Sequence, residues 1–477
     1  MFTSYQAAAA GTKSFRLVQN AFLQADGLPF CDVLTENEIR AAFAAENACF
    51  AAGEEDVYSP AVTLWAFLSQ ALHAGRLRSC AAAVARVGVL CVMLGRKPPT
   101  PDTGDYCRAR AKLPLGVLTR LVNTVGDGLE SRVPADWLWL NRHVKIADGT
   151  TLLAADTAEN QAAWPQARTQ KAGVGFPILR MVMLLSLATA AICGVALGPY
   201  KGKETGETAL LRTLLERFQP GDVFLGDCAF SSYFMLALLQ ARGVDVVVRQ
   251  HQRRHTDFRR GQRLSEGDHV VLWQRPTRPE WMDEATYAAI PETLTVRELK
   301  VRVEVPGFRV QQLVVVTTLL DASRYSQVEI ARLFRQRWHI ELDLRNIKIS
   351  LQLDDLRGRS PQMVHREILI HGLAYNLIRK VMAQAAVAAE RLPRELSFAA
   401  ALGAIAGAWD HATTAEQRRL ATLAEVQHRW IATFRVGDRP NRVEPRAVKR
   451  RPKHHRFLNK PRAEAREELL HATPSRR

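Results

Sequence analysis

The order of strands and helices between residues 141 and 249 limits the fold more than any other feature of the sequence. Three apolar segments read as strands, and two more strands follow, each preceded by a helix. The stretch from Met181 to Gly198 is long enough to cross a membrane, but Ser186, Thr189 and two glycines interrupt it. We therefore interpret it as two buried strands joined by a turn. The β-β-β-α-β-α-β order predicts an α/β fold, a mixed sheet with helices packed on it.

The rest of the chain divides around this unit. Residues 1–140 read as helices, and residues 141–390 contain the α/β pattern, interrupted at about 250–315 by strands of antiparallel type. Residues 391–477 begin as Ala-rich helix and contain a tail rich in proline and cations. The tail composition indicates an extended arm bound to phosphates, or a disordered segment.

The charge of the chain indicates its partners. Lys and Arg number 65 against 48 Asp and Glu, which gives a formal charge of +17. A basic protein of this kind favours polyanions, nucleic acid first, with ribosomal or membrane-surface binding as alternatives on charge alone. The seven cysteines include no C-x-x-C pair, and no His cluster has metal-ligand spacing. These features predict reduced thiols in the cytoplasm, with neither a signal peptide nor a membrane anchor.

Three carboxylates stand out by their positions. Asp148 and Asp227 each continue the buried face of a strand at its predicted end, and Glu341 lies on a predicted helix. Buried acids are costly unless they are paired or bind cations, so three that converge would form a site for a hard cation such as Mg²⁺ or Mn²⁺. The alternatives are a turn after the first strand, a helix cap at Asp227, and i,i+4 ion pairs around Glu341.

The predicted helix around Glu341 has two distinct faces. Its charged face combines the carboxylate with Arg337, Arg345 and Lys348. Beside that face lies an apolar stripe, which predicts that the helix packs on a core and consists of Leu333, Ile340, Leu344, Ile347 and Leu351. The stripe would fix Glu341 beside the two strand aspartates, and the cations would be free to face a phosphate backbone.

Several segments together resemble the DDE transposases of insertion-sequence family four. The signature of that family, an aromatic residue, Arg, Glu and Lys at fixed helical spacing, is similar to the run FRQRWHIELDLRNIKISLQLDDLR. Phe334 stands where the family typically has Tyr, so the tyrosine hydroxyl is missing here. Further similar segments are DGTTLLAADTAENQAAWPQ, GDVFLGDCAFSSYFMLALLQARGVDVVVR, PDTGDYCRARAKLP and EPRAVKRRPK.

The resemblance implies an RNase H-like catalytic core with a β-rich insertion, plus helical N-terminal and C-terminal regions. It implies that Asp148, Asp227 and Glu341 bind two Mg²⁺ ions, for which Mn²⁺ can substitute, while Arg337, Arg345 and Lys348 hold DNA phosphate. The implied partners are double-stranded DNA, as terminal inverted repeats and target, and a second copy of the chain in a DNA-bound homodimer. The implied location is the bacterial cytoplasm, at the nucleoid when the protein is bound to DNA.

Two tryptophans of the insertion are candidates for stacking on a flipped terminal base, as in some relatives. Trp273 and Trp281 both lie in the required region, and the sequence does not choose between them. A tryptophan in a β-rich segment is more often part of the core.

The expected activity is cut-and-paste transposition, in which metal-dependent cleavage at the element ends is followed by attack of the freed 3′-hydroxyl on target DNA. One alternative is a catalytically inactive, sequence-specific DNA-binding derivative, which predicts a lost carboxylate, whereas all three positions are occupied. The other is a two-metal nuclease of the same fold that hydrolyses DNA without joining it.

Overall fold

The computed structural model describes residues 12–53, 55–303, 311–436 and 458–471. Most of the basic tail predicted to bind phosphates lies outside these ranges. The strands are β1 Val144–Leu153, β2 Ile178–Ser186, β3 Ile192–Pro199, β4 Val223–Gly226, β5 Asp245–Arg249, β6 Gln262–Ser265, β7 Asp268–Gln274, β8 Thr293–Val303 and β9 Gln311–Thr317.

The α-helices of the described residues fall before, between and after these strands. Those before β1 are α1 Arg16–Ala21, α2 Glu36–Ala45, α3 Pro60–Leu72, α4 Cys80–Met93, α5 Gly104–Ala111 and α6 Leu115–Glu130. Those between strands are α7 Ala158–Ala163, α8 Glu207–Arg212, α9 Tyr233–Gln240 and α10 Glu284–Ala289. Those after β9 are α11 Gln327–Arg335, α12 His339–Arg345, α13 Pro361–Ala388, α14 Phe398–Thr413, α15 Gln417–Thr433 and α16 Arg462–His471.

The strands form one nine-stranded sheet in the order β3-β2-β1-β4-β5-β9-β8-β7-β6. The first three strands are antiparallel, and β4 and β5 run parallel to β1. This mixed sheet with helices packed on it confirms the predicted α/β fold. Strands β6 to β8 come from the interrupting segment and continue the same sheet antiparallel beyond β9.

Alternating side chains of the sheet enter two apolar layers. In β2, Met181 and Met183 pack in the layer that contains α6 and α13, whereas Val182 and Leu184 pack with α8 and α9. This burial on both faces explains why the stretch from Met181 to Gly198 is so apolar. The prediction of two strands there is confirmed, and no helix in the described ranges is long and apolar enough to cross a bilayer.

Two local predictions were wrong. Asp148 does not end its strand: β1 continues to Leu153, because β2 pairs with it as far as Leu153. The predicted single helix around Glu341 is composite, since a 3-10 turn at Gln336–Trp338 separates α11 from α12 and a π-helical turn follows at Asn346–Ser350. The tight and the wide turn change the helical phase locally, yet every residue of the predicted apolar stripe is buried.

Candidate active site at the β1–β4 edge

Asp148 and Asp227 occupy equivalent register positions, Asp148 within β1 and Asp227 directly after the end of the parallel strand β4. The pairing of β1 with β4 runs from Val144 opposite Val223 to Ile146 opposite Leu225. Each aspartate lies two residues beyond the last pair, so both continue the same face of the sheet. Past this point β4 ends, while β1 stays paired only with β2. The two carboxylates therefore lie at the edge where the parallel pairing stops.

A third carboxylate, from Glu207, approaches the same point from the opposite face of the sheet. It stands at the start of α8 and lies across Gly149, where an added Cβ would come within 2.3 Å of Glu207 Cδ. The hydroxyl of Thr208 donates a 3.0 Å hydrogen bond to the carbonyl of Ala229, in the turn after Asp227. The first turn of α8 thus contacts both β1 at Gly149 and the turn that follows Asp227.

These acids change the protonation of Asp148. Burial raises the pKa of the Asp148 carboxyl to about 6, and the negative charges of Glu207 and Asp227 contribute to the rise. A 2.9 Å hydrogen bond from the Gly149 N–H and the charge of Arg337 act in the opposite direction. The site therefore has an excess of negative charge that a cation would offset.

Glu341 lies on α12, which packs against β1. Its side chain is 55% exposed, and Arg337 Nη2 lies 3.8 Å from Glu341 Oε1. The Arg337 guanidinium also packs over the Trp338 ring at 4.8 Å, and its buried Nε has no hydrogen-bond partner. Arg337 thus lies within electrostatic reach of both Glu341 and Asp148.

A buried ion-pair cluster anchors α12. The sequence pattern did not predict it. Asp343, two residues after Glu341, accepts hydrogen bonds of 2.8 Å from Arg379 and 2.9 Å from Arg394. Arg379 belongs to α13, and Arg394 follows that helix in a short 3-10 turn. Asp343 is 2% exposed, so this cluster and the apolar stripe together fix how α12 presents Glu341.

The remaining signature residues take different positions. Lys348 donates 3.1 Å hydrogen bonds to the Thr150 hydroxyl and the Thr151 carbonyl, which fixes its charge beside β1. Arg345 is exposed, and Phe334 is buried in the core with its ring edge-on to Trp338.

Both tryptophan candidates are covered by arginines. Trp273 is buried, donates a 2.9 Å hydrogen bond to Glu298, and has Arg254 3.7 Å from its ring centre. Trp281 is half-buried, with Arg212 at 3.7 Å from its ring centre. An arginine therefore covers one face of each ring.

The carboxylates suit an open metal site more than a closed one. In the described parts of the chain, no three or more His, Cys, Asp or Glu side chains are grouped closely enough to hold a metal ion, so Asp148, Asp227 and Glu341 do not form such a group. Mg²⁺ commonly keeps several waters and is held by one or two carboxylates together with substrate phosphates. The oxygen donors and the crowded negative charge around Asp148 fit such an ion.

Comparisons with known proteins agree with this reading. The family described as "Transposase DDE domain" matches residues 139–377, about half of the chain. The transposase InsG for insertion sequence element IS4 of Escherichia coli (strain K12) is 26% identical over 378 residues, which cover 77% of this chain and 80% of that protein. A chain of the cryo-EM structure of the piggyBac transposase synaptic complex with hairpin DNA has a TM-score of 0.43 and 10% identity, covering 86% of this chain and 85% of that one. The family match over half of the chain shows that the chain belongs to the DDE transposases, and the similarity to the IS4 transposase agrees with the predicted insertion-sequence family.

Proposed function

We propose that this transposase works by cut and paste as a homodimer. It binds the terminal inverted repeats of its element, cleaves the strands at the ends, and joins the freed 3′-hydroxyls to target DNA. The observation that carries the proposal is the equivalent register of Asp148 and Asp227 beside the helix that presents Glu341. We assign DNA binding to residues 1–140 and 391–477. We assign catalysis of DNA cleavage and joining to residues 141–390, which contain the insertion at about 250–315.

The proposed metal ligands are Asp148, Asp227 and Glu341, with Glu207 as an additional acid beside them. DDE transposases use divalent metal ions, and we assign Mg²⁺ here, with Mn²⁺ as a substitute. Such ions, when bound, activate a water or a 3′-hydroxyl and stabilise the leaving oxygen of the phosphodiester. Arg337 orients Glu341 through their ion pair, and Lys348 holds a positive charge beside β1, where the scissile phosphate must lie. Arg345, exposed on the next turn, extends the contact along the DNA backbone.

Product analysis tests this function. The purified full-length protein is incubated with Mg²⁺ and labelled DNA that contains the gene's own flanks, together with a supercoiled target plasmid. We expect cuts at two inverted-repeat ends and covalent joining of those ends to the plasmid. Cutting without joining would favour a nuclease, and tight binding to the flanks without any cutting would favour an inactive DNA-binding derivative.

Glu207→Gln should weaken metal binding. The substitution removes the negative charge that lies across Gly149 while keeping the side-chain size, so the affinity for Mn²⁺ should fall about tenfold, the lower end of what supporting residues of metal sites contribute. The measurement is titration of Mn²⁺ followed by electron paramagnetic resonance without DNA. Glu216→Gln, at an exposed acid after the same helix, is the control. Equal Mn²⁺ affinity of both variants and wild type would remove Glu207 from the site.

A further inference from the structure

A cavity of about 710 Å³ lies between the N-terminal helices and the start of α13. Four arginines line it: Arg78 and Arg110 from the N-terminal region, and Arg357 and Arg359 from the loop that leads into α13. The segment just after β1, at residues 157–159, forms another wall. Residues that are far apart in sequence thus build one basic cavity.

The positive charge in this cavity is only partly neutralised. Arg78 is 2% exposed and donates a 2.7 Å hydrogen bond to the Gln352 carbonyl, while the nearby carboxylates of Glu367 and of Asp355, the latter at 3.8 Å, act on its charge. The Nε of Arg110 is buried without a hydrogen-bond partner. Arg359 is exposed and makes no side-chain hydrogen bond or ion pair with the described residues. The lining contains four arginines against the two carboxylates of Glu159 and Glu367, so its net positive charge favours an anionic ligand.

The acids of the cavity do not cancel this charge. Glu367 is buried and accepts hydrogen bonds from the backbone N–H groups of Arg357 at 2.9 Å and Gly358 at 2.7 Å, so it holds the loop in place. Burial raises the pKa of Glu367, while the charges of Arg110 and Arg78 act in the opposite direction. Glu159 is exposed at the rim.

Two helices also begin at the cavity. The N-cap residues Ser79 of α4 and Ser360 of α13 both line it, so the positive ends of a 14-residue and a 28-residue helix face the same space. Helix N-termini add favourable electrostatics and free N–H donors for an anion. The two helix N-termini add to the positive potential of the arginines, and they would not define an anion site without them.

We propose that this cavity binds a backbone phosphate of the DNA substrate, outside the carboxylate site. The inference rests on the proposed function, because it assumes that DNA crosses the edge of β1. Lys348 binds at Thr150 and Thr151, and only a few residues later the chain reaches Thr157, which lines the cavity and donates to the Arg359 carbonyl at 2.9 Å. The cavity is therefore separated from the Lys348 contacts by only a short segment of chain. Arginine suits a phosphodiester because its fork geometry matches two phosphate oxygens.

DNA binding without divalent metal tests the proposal on the full-length protein. Arg359→Gln and the double variant Arg357→Gln/Arg359→Gln are compared with Arg132→Gln, using flank DNA and fluorescence anisotropy at several salt concentrations. Arg132 is a matched control, since it is 37% exposed and pairs with Asp32 at 2.7 Å, whereas Arg357 is 39% exposed and pairs with Asp355 at 2.8 Å. We expect the double variant to bind about tenfold more weakly than wild type. The slope of the logarithm of the binding constant against the logarithm of the salt concentration should decrease in magnitude by about 1. Arg359→Gln, which loses no internal partner, should show part of the same effect.

Single neutral methylphosphonates in the flank DNA locate the contact. At one or two positions they should weaken binding by wild type but not by the double variant. Affinity and salt slope equal to those of Arg132→Gln would overturn the proposal. Unchanged DNA binding, combined with thermal stabilisation by inorganic phosphate in wild type only, would assign the cavity to a small free anion and also overturn it. Because no cleavage is measured, a wild type that binds but does not cut would refute the proposed function and leave this site standing.

Discussion

Glu341→Gln should lower the rate of strand cleavage by about a thousandfold or more while leaving DNA binding and the unfolding midpoint nearly unchanged. The carboxylate is 55% exposed and its nearest cation, Arg337, is 3.8 Å away, so the amide costs little stability. Cleavage depends on the negative oxygens that hold metal and is expected to fall on the scale seen when a group essential to the chemistry is removed. Single-turnover cleavage of flank DNA in Mg²⁺ measures the effect.

The matched control for this substitution lies on the preceding helix. Glu329 of α11 is 31% exposed and pairs with Arg332 at 2.7 Å, so Glu329→Gln removes a comparable ion pair outside the site. It should cleave at the wild-type rate. Normal cleavage by Glu341→Gln, with loss in Glu207→Gln, would transfer the role of third carboxylate to Glu207.

The sequence predicted the elements whose packing is encoded locally. The apolar stripe on α11 and α12 is buried as expected, because helical spacing alone decides which side chains share a face. Alternation along β1 and β4 likewise placed Asp148 and Asp227 on corresponding faces, since successive strand residues point in opposite directions. The alternation of apolar and polar residues also predicted the strands of the segment at about 250–315.

What the sequence missed depends on contacts between distant elements. Glu207 reads as an ordinary acid in the first turn of a helix, and only the packing of α8 over Gly149 brings it to Asp148. The signal available was the glycine beside Asp148, which indicates a close approach but does not say by what. The end of β1 was misjudged for a similar reason, because pairing with β2 extends it beyond the Asp-Gly pair.

Asp343 shows the same limit in the helix that carries Glu341. Glu341 and Asp343 stand two residues apart in the sequence. Glu341 is 55% exposed and Asp343 is 2% exposed, and the sequence does not predict this difference. The arginines that pair with Asp343 lie more than 30 residues further along the chain, at positions 379 and 394. Tertiary structure therefore leaves Glu341 exposed and buries Asp343 in an ion-pair cluster.

Asp343→Asn should accordingly destabilise the protein, by about 3–5 kcal/mol, because it leaves two guanidinium groups without their shared carboxylate in a buried setting. Arg379 is 4% exposed and Arg394 is 12% exposed, so water can solvate neither well. The measurement is urea unfolding followed by tryptophan fluorescence, with Glu341→Gln as the control from the same helix. We expect a lower midpoint for Asp343→Asn only. A midpoint equal to that of Glu341→Gln would mean that the apolar stripe alone holds α12 in place, and that the buried arginines find other partners.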